Sequence, residues 1–492
     1  MTAVTIHPVD LDPGRVADGT YTTRRRGGLD PTALIVLMLV LLCVIPAGLI
    51  VPGMTDIGRP AQLVSLLLCA WWVAGRIHPA LAMRGPQPLR WAVGFFLISA
   101  LISYGLGYLR GLTLIEANAS DMEMLKTLAM IGVILMTADG ISTRERLDRA
   151  LQVLVWLCGF MGLIGIIQFA SGYDITQNII IPGLEYKRDL TGFASRGDGL
   201  FRVPSTALHY IEFSAAMAMV VPYAMHYTRF GETRGRRQLA AISGVLAASA
   251  IPLTLSRTGI LAAGVALICV LPALPWRIRA NVLVVLAFGT AAFMVIRPGL
   301  LGTLKSLFLG ASNDPSIQGR TDDYEQVAQY FSERPWFGRG TGTFVPQAYR
   351  ILDNEWLFYL MTNGLVGVFA LLALHVVAIS LAVIAMRRST SEADRQLCAA
   401  LISTQFVSML VGLTFDSLGF ITYATMWFVL TGAAGAMWRL THPSRQISTA
   451  TPHEQFTGEF PVVTLDGPGA PAIGAAPDAK PALPSKPTES PG

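Results

Sequence analysis

Residues 353–388 read DNEWLFYLMTNGLVGVFALLALHVVAISLAVIAMRR. The run 356–386 contains no Asp, Glu, Lys or Arg, and about 20 apolar residues suffice to cross a hydrocarbon core of roughly 30 Å. It reads as a membrane span opened by Asp353-Asn354-Glu355 and closed by Arg387-Arg388. Trp356 reads as an interfacial anchor. Gly364-Leu-Val-Gly367 interrupts the run and reads as a point of close helix packing.

Working outward, eleven more apolar runs appear: 32–52, 60–75, 90–109, 123–138, 147–170, 210–228, 238–255, 258–275, 280–297, 396–414 and 418–438. The chain of 492 residues is 52% hydrophobic and 14% charged, where a soluble protein carries about a quarter charged. The fold class expected is all-α: a polytopic helical membrane protein of about twelve transmembrane helices. Arginines cluster in alternate connections, at 24–26, 76–90, 144–149, 229–237, 277–279 and 387–395. The short connections opposite hold only Arg59, Arg110, Lys126 and Arg257. This bias puts both termini in the cytoplasm. Residues 1–31 are then a cytoplasmic tail, not a cleaved signal. Residues 32–438 are the membrane domain, with outer loops at 171–209 and 298–355. The second is a large extracytoplasmic loop between spans 9 and 10. After residue 440 lie 10 of the 29 prolines, so 439–492 reads as a disordered Pro/Ala-rich cytoplasmic tail.

The five cysteines fall in or beside apolar runs without a CxxC pair and read as small buried hydrophobes. The net charge of +5 carries no nucleic-acid signature.

Polar chemistry gathers in the outer segments. Gly319-Arg320-Thr321 precedes a short helix expected over Asp322–Ser332, ended by Pro335-Trp336-Phe337. Gly338-Arg-Gly-Thr-Gly-Thr-Phe344 follows. Its GxGxG is not a nucleotide loop, because no strand precedes it and no helix follows in a βαβ unit. The glycines, Gly338 and Gly340 among them, read as a tight turn lying near a lipid headgroup or another loop. Arg202-Val-Pro-Ser-Thr-Ala-Leu-His209-Tyr210-Ile-Glu212 ends the first outer loop. His209 and Glu212 are three apart where a helix begins and share one face, as capping residues or as a catalytic pair. Ser256-Arg257-Thr258-Gly259 is a hairpin between two apolar runs. A charge held that close to the bilayer is costly unless it is paired or faces a polar cavity. Asp416 occupies the last outer turn and is a candidate partner for one of these arginines. All four groups fall on one side of the membrane.

These pieces, Ser256–Gly259, Gly319-Arg320, ERPWFGRGTGTF at 333–344 and DNEWLFYLMTNGLVG at 353–367, resemble the O-antigen ligase and O-antigen polymerase superfamily of bacterial membrane glycosyltransferases. The resemblance covers roughly residues 195–435. It implies transfer of glycan from an undecaprenyl (polyprenyl) diphosphate carrier to an acceptor hydroxyl, on the outer face of the cytoplasmic membrane, without metal or cofactor. It implies that Arg257 and Arg202 hold the diphosphate, with Arg320 as a third cation. In the family a histidine often precedes the Asn of this motif and is proposed as the base. Here Asp353 precedes Asn354, a departure toward polymerase-like members. Asp353 is the expected base, with Glu212 and His209 as alternatives. Asn354, Gly338, Gly340 and Asp416 are supporting residues. The expected partners are the polyprenyl-diphosphate glycan donor, a glycan, lipid or protein acceptor, and membrane lipid, with no nucleic acid. Two other classes compete. A flippase for lipid-linked glycan should show broken helices or polar groups at mid-membrane, which the sequence does not suggest. A non-catalytic subunit of an envelope-polymer assembly would carry degenerate chemistry.

Overall fold

The computed structural model describes residues 30–54, 56–77, 85–187, 193–197, 200–296, 324, 327–349 and 351–442. Arg320, Thr321, the Asp322-Asp323 pair and most of both tails lie outside the described residues.

Twelve α-helices have both ends described. They are α1 (Pro31–Val44), α2 (Pro60–Ile77), α3 (Leu89–Arg110), α4 (Leu114–Gly140), α5 (Arg144–Ser171), α6 (Tyr210–Phe230), α7 (Arg234–Leu253), α8 (Arg257–Val270), α9 (Trp276–Ile296), α10 (Glu355–Arg388), α11 (Glu392–Gly412) and α12 (Ile421–Leu440). Each falls on one of the apolar runs. Residues 327–333 are also helical, within the stretch where a short helix was expected. By length and composition α2, α3, α5 and α10 are each able to cross a membrane. Helix α1 stops at Val44, short of the expected end, and the chain turns into β1 (Leu49–Ile50). This strand pairs antiparallel with β2 (Glu185–Tyr186). A second hairpin joins β3 (Ala194–Gly197) to β4 (Leu200–Arg202).

Helix α12 is the centre of the bundle. Its residues Ile421 to Arg439 are all buried, the pattern of a helix apolar all round. It packs on α4, α10 and α6, and α6 packs on α7, α8 and α11. The five cysteines are free thiols, with Cys43, Cys158 and Cys398 buried.

Polar contacts sort the helix ends. At one end Asp139 is fully buried at the C-terminus of α4. It accepts from Arg76 (2.6 Å), Arg90 (2.9 Å) and the Trp72 indole (2.8 Å). The same end carries Arg146 with Asp30, Arg144 with Asp394, and Arg229 with Glu392. These join the starts of α1, α3, α5 and α11 to the ends of α2, α4 and α6. They are among the arginines whose bias set the orientation above. The starts of α6, α8, α10 and α12 gather at the other end, as described below.

The expected span 356–386 is not one helix. Trp356 and His375 are nineteen residues apart, about 28 Å along a straight helix, yet their rings lie 5.8 Å apart. Helix α10 is therefore two helices that bend back at Gly364, whose φ is +65° and ψ −167°. Trp356 is half-buried in the bundle. Its indole donates to the Met409 carbonyl at 3.2 Å, and it packs against Gly412.

The Gly-rich loop fills this break rather than lying at a headgroup. Arg339 N–H donates to Met361 O (2.9 Å) and Gly340 N–H to Thr362 O (3.0 Å). In return Leu365 and Val366 N–H donate to Pro335 O and Trp336 O, at 2.9 and 3.1 Å. A backbone break inside a bundle leaves such groups unpaired, and here the loop satisfies them. The approach is so close that a Cβ on Gly338 would lie 2.4 Å from Thr362 O. The Thr341 hydroxyl, donating to Ala100 O at 2.9 Å, ties the same loop to α3, and the Ser103 hydroxyl, donating to Thr362 O at 2.7 Å, ties α3 to the break itself.

Candidate active site

The basic side starts at Arg202, the last residue of β4. Its guanidinium lies 4.7 Å over the Tyr210 ring and donates to the Tyr210 hydroxyl. Its Nε is enclosed with no hydrogen-bond partner among the described residues, a state that costs free energy until an acceptor arrives.

His209 caps α6, with Nδ1 accepting from Ile211 N–H at 3.4 Å. Nε2 of the neutral ring therefore carries the proton. Burial first, and the Arg202 charge second, push the His209 pKa down to about 4, so the ring is neutral and a donor at physiological pH. Glu212 completes the capping box. One oxygen accepts from Leu208 and His209 N–H, at 2.9 and 3.4 Å. The other accepts from Thr422 and Tyr423 N–H, at 2.6 and 3.2 Å. This carboxyl pins the start of α6 to the start of α12, so the expected pairing of His209 with Glu212 is present as a double cap.

Arg257 is the first residue of α8, and Ser256 caps that helix by accepting from Gly259 N–H at 3.4 Å. A Cβ on Gly259 would lie 2.4 Å from Ser214 Cβ, so the first turn of α8 is pressed against the first turn of α6. Leu255 (φ 53°) and Ser205 (φ 59°) are the two non-glycine residues with positive φ among the described residues. Both are buried; Leu255 immediately precedes the Ser256 cap, and Ser205 lies between Arg202 and His209. Backbone strain of this kind concentrates at functional sites.

The acidic side lies at the start of α10. Asn354 caps the helix, accepting from Leu357 N–H at 3.2 Å. Asp353 is half-buried. Glu355 is buried and accepts from Leu418 N–H at 2.7 Å, which ties α10 to the turn before α12. Asp416 pairs with no arginine among the described residues. Its charged neighbours are Asp353, Glu123 and Lys126. Burial above all, then the Asp353 and Glu123 charges, push the Asp416 pKa up to about 7 against the opposing pull of Lys126.

Aromatic rings join the two sides. His209 lies 5.7 Å from Phe420, and Phe420 lies 5.4 Å from Phe415, the neighbour of Asp416. The arrangement can hold an anion on one side and move a proton on the other. Helix N-termini of α6 and α8 add positive potential to the arginine side.

Sequence reading missed Glu123 and Lys126 on α4, a 3.5 Å ion pair assigned above to a span edge and a short loop. It also missed the clasp that locks the Gly-rich loop. Arg110 bonds Glu116 at 2.7 Å, Tyr349 OH donates to Glu116 at 2.6 Å, and Arg339 bonds Glu333 at 2.8 Å. The signal was there: Glu116, Asp121, Glu123 and Lys126 crowd the first half of one helix, and charges beside a membrane span are functional candidates by default.

Residues 242–372 match the sequence model of the O-antigen ligase family, which supports the O-antigen ligase and polymerase superfamily. No curated protein matches the chain significantly. The matched segment holds Ser256–Gly259, the Gly-rich loop and Asp353–Gly367. Arg202, His209, Glu212 and Asp416 lie outside it.

Proposed function

We propose, from the premise that this membrane protein carries an O-antigen ligase domain and acts in cell-surface polysaccharide assembly, that it transfers glycan from a polyprenyl-diphosphate carrier to an acceptor hydroxyl. The observation that carries the reading is one helix-end cluster with arginines on one side and carboxyls on the other. Arg202 and Arg257 bind the diphosphate, as permanently charged forks matched to phosphate, and Arg320 is a third candidate. His209 Nε2–H donates to a phosphate oxygen. The acceptor oxygen bonds the anomeric carbon from the back side. The bond from that carbon to the diphosphate oxygen breaks, its electron pair leaves with the polyprenyl diphosphate, and the configuration inverts. The hydroxyl proton passes to the Asp353 carboxylate. Asp416, whose pKa burial raises to about 7, limits the negative charge beside Asp353. Glu212 and Asn354 hold the helix starts, and Gly338 and Gly340 let the loop close the α10 break.

One observation favours the flippase reading, because a broken helix is a transporter device. The break in α10, however, is filled by the chain's own Gly-rich loop, which favours a fixed site over a passage.

Deletion of the gene, with Arg257→Ala and Asp353→Ala complementation, tests the proposal through the length and attachment of surface glycan. Single repeat units accumulate if the chain polymerises, and full-length polymer stays on its carrier if it ligates. Both variants are expected to lose at least 100-fold activity. Unchanged surface glycan in the deletion strain sinks the reading.

A further inference from the structure

We propose that Tyr104, Tyr108 and Asp121 form a saccharide-binding platform on the surface of the α3–α4 hairpin, a subsite for the sugar part of a lipid-linked glycan; this rests on the function proposed above. The hairpin already serves the candidate site through other faces. Gly107 on α3 packs against Gly340 of the Gly-rich loop, Ser103 donates to Thr362 O of α10, and Glu123 on α4 belongs to the Asp416 cluster.

Around the tyrosines the surface is apolar and exposed, with Ile102, Leu109, Leu114 and Ile115 in the open. A carboxyl in such a surface is expensive. Asp121 sits about 10 Å along α4 from its start. Tyr104 OH and Tyr108 OH both donate to its Oδ1, at 2.7 and 2.5 Å. Its Oδ2 accepts no hydrogen bond from the described residues. The two tyrosine rings are 5.0 Å apart and tilted by 56°, and Tyr108 is 42% exposed. Beside them Gly105 faces open space, with nothing within 4 Å of where a Cβ would stand.

The chemistry selects the ligand. An anionic lipid headgroup is repelled by a carboxyl and offers it few donors. A sugar offers adjacent hydroxyls to a carboxyl oxygen, in charge-assisted bonds, and an apolar C–H face to an aromatic ring. A carboxyl oxygen without a donor among the described residues, an exposed tyrosine face and the open surface at Gly105 match both properties. The exposed aliphatic rim suits a sugar delivered on a lipid rather than one free in solution.

The test uses the full chain in lipid nanodiscs and a soluble probe: the repeat-unit oligosaccharide released by mild acid from the host's surface polysaccharide. It lacks both diphosphate and lipid, so it reports on the platform apart from the arginine site. Saturation-transfer NMR is expected to show contact with wild type and with Arg257→Ala alike. The signal falls at least fivefold in Asp121→Asn and Tyr108→Leu. Gly105→Leu fills the open space while favouring the helix, and it lowers the signal equally with thermal unfolding unchanged. Full contact in Gly105→Leu and Tyr108→Leu, or no contact in wild type, overturns the platform. Contact that depends on Asp121, in a chain whose deletion leaves surface glycan intact, upholds the platform and removes the transfer reading instead.

Discussion

Asp416 and His209 give the residue scale a pH signature of opposite signs. Burial raises the Asp416 pKa from 3.8 to about 7, so the folded state prefers the protonated form. Its contribution to stability is complete below about pH 4 and is lost as pH rises through 7. His209 is lowered from 6.5 to about 4, so the folded state prefers the neutral ring. Its contribution is complete above about pH 6.5 and is lost as pH falls toward 4. Thermal unfolding in detergent should therefore show Asp416→Asn gaining stability over wild type between pH 5 and 8, with the gain vanishing near pH 4. A constant difference across that range contradicts the assignment. Arg257 stood out in the sequence as a candidate because a charge beside an apolar run is costly, and Arg202 entered with the loop end that holds His209 and Glu212. The influence of the Asp353 charge on Asp416 was not legible, since it arises where segments more than sixty residues apart come near each other. Glu123 and Lys126 were passed over because they fall at the edge of an expected span, although the charges crowding 116–126 marked the stretch.

At the scale of the element, α10 and the Gly-rich loop form one unit. Gly364 takes a left-handed φ of +65°, and a Cβ there would lie 2.4 Å from the Trp336 carbonyl. The clash with backbone adds to about 1–2 kcal/mol of left-handed strain. Gly364→Ala is expected to cost more than about 3 kcal/mol and to abolish yield of folded protein. Gly94→Ala, on the open side of α3 with no atom within 4 Å, should be neutral or gain about 0.5–1 kcal/mol. Equal yields of the two in a fluorescence size-exclusion comparison contradict the plug. The sequence marked Gly364 and Gly367 as an interruption in an apolar run, and that much held. It could not show that the run bends back, because the sign of a glycine φ leaves no trace in composition. The partner of the break lies some twenty residues earlier in the chain.

On the scale of the molecule, helices α6, α8, α10 and α12 all begin at one end, while Arg76, Arg90, Arg144, Arg146 and Arg229 pair at the other. The twelve helices were legible because a period of apolar length repeats along the chain. Which helix is central was not: α10 is as apolar as α12, and the burial of α12 follows from packing against α4, α6 and α10. At the arginine end, Asp139→Asn leaves two guanidinium groups short of a counter-charge and should cost about 3 kcal/mol, read as a lower unfolding temperature. No change there contradicts a buried ion network. The claim that the opposite end breaks a glycan–diphosphate bond, rather than passing the intact lipid across the membrane, is tested most directly in proteoliposomes. Purified chain is supplied with polyprenyl-diphosphate glycan extracted from the deletion strain and with an extracted acceptor. Free polyprenyl diphosphate released in step with glycosylated acceptor, and absent with Arg257→Ala, is the expected result. Donor recovered intact on the far leaflet, with no polyprenyl diphosphate released, contradicts it.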